Sequence, residues 1–205
     1  MKKEHILGIL FFSGLWGISE AVLGDALYRA SVPYASVPLT IIGFIVMSTA
    51  KVYFPQKGTA TLIAACAMLY KFLNVPFFAC HLLGILLMGL CFDLFFSVFK
   101  IKSRSLSAAV AVYLNCALFA LMITYVFRYE HWVQAGFAEV LRHVVISGSM
   151  AALGCAVLLP VSFRLAERLK ANFATPFNLR LQWVPCAALV ATVGLWVFSI
   201  TAYIF

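Results

Sequence analysis

Glu20 is the residue of this chain best equipped for chemistry. It lies inside the apolar run Phe11-Phe12-Ser13-Gly14-Leu15-Trp16-Gly17-Ile18-Ser19-Glu20-Ala21-Val22-Leu23-Gly24. A lone carboxylate in hydrocarbon costs roughly 2.5–3.5 kcal/mol on insertion scales, unless it neutralises or finds a partner. Intramembrane acids characteristically face a cavity or pathway between helices. Ser13, Trp16, Glu20 and Gly24 fall on one helical stripe, with Gly14, Gly17 and Ala21 beside it. Small residues at that spacing let another backbone approach closely. Asp25 belongs elsewhere: Arg29 follows it by four residues, a favourable ion pair near a helix end.

The remaining polar groups sort by depth. Lys71, His81, Tyr125, Arg128, Arg142 and His143 all fall near the ends of apolar segments, at the level expected for Glu20, and Asn115 lies in mid-segment. Rare polar groups gathered at one depth between apolar helices are the pattern of a small-molecule pocket. The expected substrate-binding set is therefore Trp16, Glu20, Lys71, His81, Asn115, Tyr125, Arg128, Arg142 and His143. Glu20 suits a cationic or hydroxyl group, the basic residues and histidines an anionic part, and Trp16 and Tyr125 a ring. Lys71 also suits snorkelling to the interface, its stem in apolar surroundings and its charge in water. Asp93 is expected at the opposite level, near Lys100 and Lys102, in a structural or coupling role.

Several chemistries find no footing. There is no His-x-x-x-His or Glu-x-x-His for a metal, no Walker motif, and no Gly-x-Ser-x-Gly. Six scattered cysteines, without a Cys-x-x-Cys, read as small packing residues. We expect no enzyme activity, catalytic residues, metal or cofactor.

The elements that must position these residues follow from composition. The 205 residues are 64% hydrophobic and 11% charged, against about 25% charged in soluble domains. The expected fold is all-α: one polytopic transmembrane helical bundle spanning 1–205, multi-pass in the bacterial inner (plasma) membrane. Spans are expected at 6–27, 36–53, 58–74, 77–99, 106–127, 137–163 and 183–204, each near the ~20 residues needed to cross. The first reads as an uncleaved span, since no convincing cleavage site follows it. With the N-terminus inside, 11 of 15 Lys and Arg fall in cytoplasmic segments, the positive-inside pattern. The C-terminus is then outside. The net charge of +8 reflects this bias and calls for no nucleic acid. Residues 129–140 form the longest outer loop, an interfacial helix or a lid.

The layout resembles the substrate-binding S components of energy-coupling factor (ECF) transporters. The resemblance covers about residues 6–168. It rests on the Gly14/Gly17/Ala21/Gly24 face, on Ala60-x-x-x-Ala64, and on Pro55-Gln56-Lys57-Gly58 leading into a short Ala-rich third span. It implies a core of six helices, an outward pocket for a small polar or vitamin-like molecule, and small-residue faces that dock a membrane coupling subunit with its ATPase subunits. The expected function is thus a substrate-binding subunit for uptake. The alternatives are an assembly subunit of a larger membrane complex, with Glu20 and Asp93 satisfied by partner helices, and a proton-coupled carrier using Glu20. On this reading Glu20→Gln harms ligand binding more than folding.

Overall fold

The computed structural model describes residues 3–73, 79–99 and 101–172. The expected seventh span, 183–204, lies outside the described residues. The described chain is helical throughout: α1 (Lys3–Arg29), α2 (Ser36–Tyr53), α3 (Thr59–Ala67), α4 (Ala79–Asp93), α5 (Arg104–Leu121), α6 (Glu130–Arg142) and α7 (Gly148–Asn172). Five helical stretches are long and apolar enough to cross a membrane.

Local sequence explains the boundaries. Pro38 falls in the first turn of α2, where its missing N–H leaves no intrahelical bond unmade. Gly58 precedes α3 at φ 81°, a left-handed conformation that glycine adopts without strain. Ser103 caps α5, its hydroxyl accepting from the Leu106 N–H at 3.2 Å. α3 has only nine α-helical residues and continues as a 3₁₀ turn, Met68–Leu73. The tighter 3₁₀ winding rises more per residue, so the whole segment reaches about 25 Å. Expected spans one, two, four and five fall within a few residues of α1, α2, α4 and α5. The sixth is longer than expected: apart from a break at Gly136 (φ 64°, ψ −156°), helix runs from Glu130 to Asn172 and includes Pro160.

Neighbouring helices close a ring in the order α1, α2, α7, α5, α4, α3 and back to α1. α6 lies over the end where α5 finishes and α7 begins. Trp16, Phe44, Met47, Ile63, Phe92 and Leu159 are fully buried in the centre. Leu15, Val22, Leu153, Val157, Val161 and Leu165 point outward, all more than half exposed. A continuous apolar exterior of this kind suits hydrocarbon rather than water.

The small residues work within the chain. A Cβ on Gly17 would collide with the Tyr70 ring, and one on Gly43 would come within 2.8 Å of Trp16. Ala60 and Ala64 are covered by α4, where Gly89 approaches the Ala60 carbonyl. The Gly17 and Ala60/Ala64 faces, which the resemblance implies as docking surfaces for a partner, are thus occupied by the chain's own helices. Gly89→Ala places a methyl 2.5 Å from the Ala64 Cβ and 2.8 Å from backbone oxygen. It is expected to lower stability by about 1–3 kcal/mol, the usual cost of overpacking. Thermal unfolding in detergent measures this.

One end of the ring carries Lys51, Lys57, Lys102, Arg104, Arg164, Arg168 and Lys170, around the start of α1, α3 and α5 and the finish of α2, α4 and α7. This is the basic end of the ring.

Candidate functional site

At the opposite end the ring encloses a cavity of about 340 Å³. All six ring helices or their continuations line it, and α6 contributes Trp132.

Its floor is a buried ion pair. Lys71 Nζ lies 3.0 Å from Glu20 Oε2 and donates to the Glu20 main-chain oxygen at 2.9 Å. The two side chains are 5% and 6% exposed. The 3₁₀ turn makes this possible: it lays Tyr70 over Gly17 and Lys71 over Gly24. A Cβ on Gly24 would sit 3.1 Å from Lys71 Nζ, so Gly24 leaves room for the ammonium. Trp16 Nε1 donates to Glu20 Oε1 at 3.4 Å from behind. Lys71 therefore does not snorkel. An apolar stem reaching inward costs little, and the carboxylate offers a partner that saves both charges from isolation.

Asn115, from α5, lines the cavity and is 6% exposed. Its Oδ1 has no hydrogen-bond partner among the described residues. A buried acceptor left unpaired costs about 1–3 kcal/mol, so the site favours a solute bringing a donor.

Aromatic rings form the rim. Tyr28 stacks on His81 with centroids 5.2 Å apart. Phe119, Trp132 and His143 form a second cluster with centroid separations of 5.3–5.8 Å. A π-helical turn, His143–Ser147, joins α6 to α7, and both of its terminal residues line the cavity. Such wide turns are rare in helices and recur at functional sites.

Of the residues expected from sequence, Glu20, Lys71, His81, Asn115 and His143 line this cavity. Trp16 stands behind Glu20, fully buried. Tyr125 is half exposed, Arg128 is exposed in the turn before α6, and Arg142 is exposed and paired with Glu139 at 2.6 Å. None of these three is a cavity-lining residue. Depth put them at the right level, but their directions differ. For Arg142 the sequence held the answer in the i,i+3 spacing of Glu139 and Arg142. The lining also includes Tyr28, Ser36, Thr40, Cys80, Trp132 and Ser147, which depth alone did not single out. Ser147 follows His143 by four residues, so the helical repeat was a usable signal.

Asp25 pairs with Arg29 at 2.8 Å, as its spacing indicates. Asp93 lies towards the basic end. Its Oδ2 accepts from the Thr61 N–H (2.8 Å) and hydroxyl (2.9 Å), and its Oδ1 from Ser97 (2.8 Å). A carboxylate from α4 thus caps the first turn of α3, where the helix dipole favours negative charge. Lys51 Nζ donates to Ser97 Oγ at 2.6 Å and ties α2 into the same network.

Among the described residues no group of three or more His, Cys, Asp or Glu is placed to hold a metal ion. The fold and site together define, over the described residues, an apolar helical bundle enclosing a cavity lined by both apolar and polar side chains. No protein-family model, curated protein or solved structure matches it.

Proposed function

We propose that the chain is an integral membrane protein that binds a small polar solute for uptake, with its basic end in the cytoplasm and its cavity open to the outside. The observation that carries this reading is the cavity itself. It lies at the end of the ring opposite the basic end, and its largely apolar walls hold a buried ion pair, two histidines and an unpaired amide oxygen. Its volume suits a compact metabolite, since ligand pockets run from about 300 to 1,000 Å³.

The ion pair refines the chemistry. Glu20 already has Lys71 as its counter-charge, so the floor carries no net negative charge to attract a cation. Lys71 has two acceptors at hand and three hydrogens to donate. A neutral or anionic solute that accepts from Lys71 and donates to Asn115 fits best. Trp132, brought over the mouth by α6, supplies a lid with Gly136 at its break.

Both buried acids find partners within the chain, which supports the binding reading over one that gives them to the helices of a larger complex. Native mass spectrometry of the purified protein tests the binding reading. The expected result is a retained small molecule, released at least tenfold more readily from Asn115→Leu than from the parent. A parent protein that carries no adduct after incubation with cell metabolite extract contradicts it.

A further inference from the structure

A second recess lies at the basic end, about 640 Å³ in volume, between the ends of α2 and α7 and the start of α5. Its walls include Val52, Pro55, Arg104, Phe163, Glu167 and Lys170. The same three helices line the cavity at the other end, through Thr40 on α2, Cys116 on α5 and Ala151 on α7.

What separates the two spaces is a run of aromatic rings. Phe44 lies one helical turn beyond Thr40, and Phe92 one turn beyond Met88, which also lines the cavity. Phe44 meets Phe92 edge-on at 5.8 Å, Phe92 stacks on Phe96 at 4.4 Å, and Phe96 packs on Phe163 at 5.5 Å. Phe163 forms part of the basic recess. The Arg104 guanidinium lies 4.6 Å over the Phe163 ring and grips both Glu167 oxygens, at 2.6 and 3.4 Å. This pair joins the start of α5 to the end of α7. Phe96 belongs to a π-helical turn, Leu94–Phe99.

We propose that the basic recess is the release vestibule of the same solute path, with the four phenylalanines as its barrier and Arg104–Glu167 as its latch. This rests on the uptake reading above and adds to it that the chain contains a whole path, not a binding cup alone. α2, α5 and α7 are shared by both spaces, so swinging the end of α7 from α5 opens the barrier towards the basic end. The latch suits repeated opening because its side chains are 42% and 47% exposed, and exposed pairs are individually weak. The cavity end has its own cover in Trp132, so each end has a separate closure.

Cys155 is the natural reporter. It is fully buried on α7, one turn from Ala151 and two from Phe163. The experiment uses full-length chains with Cys155 alone, the other five cysteines replaced by alanine. A charged, membrane-impermeant methanethiosulfonate is applied to inside-out vesicles, and separately to intact cells. Glu167→Gln should speed labelling of Cys155 from the basic side roughly threefold to fivefold, as loss of one exposed pair allows. Phe96→Ala should speed it roughly tenfold, since deleting a ring that packs against the core leaves a void. The exchange Arg104→Glu with Glu167→Arg should return the slow rate. Unchanged labelling in both single variants, or equal acceleration from both sides, overturns the proposal. Matched chains with Cys80 alone report the cavity. If Cys80 reacts from the cavity side while Cys155 stays closed in every variant, the vestibule fails and the binding reading stands. If Cys80 is inert, the binding reading itself fails.

Discussion

Lys71→Met is expected to lower stability by about 3–5 kcal/mol, the usual cost of removing one partner from a buried ion pair. The substitution keeps the apolar stem and most of the volume but strands Glu20, which is almost fully enclosed. Glu20→Gln is expected to cost less. The amide oxygen and the Glu20 main-chain oxygen both remain as acceptors for Lys71, although the ammonium loses its counter-charge. The pair Glu20→Gln with Lys71→Met should recover most of the loss, because swapping a whole buried pair for neutral groups is often close to neutral. Denaturant titration in detergent, followed by Trp fluorescence, gives the three values. Additive losses in the double variant would mean that the two residues do not act as a pair. Glu20→Gln is therefore expected to lower stability as well as binding, because the partner of Glu20 is inside the bundle.

Asp93→Ala is the second large effect, about 3 kcal/mol. Asp93 is 7% exposed and accepts three hydrogen bonds. Its removal takes a capping interaction from α3, about 0.5–2 kcal/mol. It also leaves the part-buried Thr61 N–H without its carboxylate acceptor, at most about 1–3 kcal/mol. The damage should spread to Lys71, since α3 carries the 3₁₀ turn that sets the lysine against Glu20. Asp93→Asn keeps one carbonyl oxygen for Thr61 and is expected to retain about half of the stability. The same denaturant titration checks both, and hydrogen exchange at Thr61 should quicken in Asp93→Ala. Protection of that amide equal to the parent's would refute the capping role.

Sequence carried much of this architecture and part of the site. Apolar runs of about twenty residues, the length a bilayer crossing needs, mark α1, α2, α4 and α5. Depth along those runs brings Glu20, Lys71, His81 and His143 to one level, and Asn115 stands out as a polar residue in mid-segment. Depth says nothing of azimuth, so Tyr125, Arg128 and Arg142 were grouped with residues they do not meet. Lys71 shows the limit most clearly. At the end of a short apolar segment, a lysine that reaches water and one that reaches a carboxylate leave the same trace. The choice depends on the 3₁₀ turn at Met68–Leu73, in which Tyr70 packs over Gly17, a contact between distant segments that no local signal announces. The π-turn at His143–Ser147 was equally silent, since hydrophobic periodicity does not separate 3.6 from 4.4 residues per turn over five residues.

The cavity's orientation is the point on which the uptake reading turns, and Cys80 measures it directly. This half-buried thiol lines the cavity beside His81. Chains holding Cys80 alone are exposed to an impermeant thiol reagent in intact cells and in inside-out vesicles. The predicted result is rapid labelling in intact cells, slow labelling in inside-out vesicles, and protection by the solute that native mass spectrometry identifies. Labelling only from the basic side, or a Cys80 as unreactive as the buried Cys91, contradicts an outward-facing binding cavity.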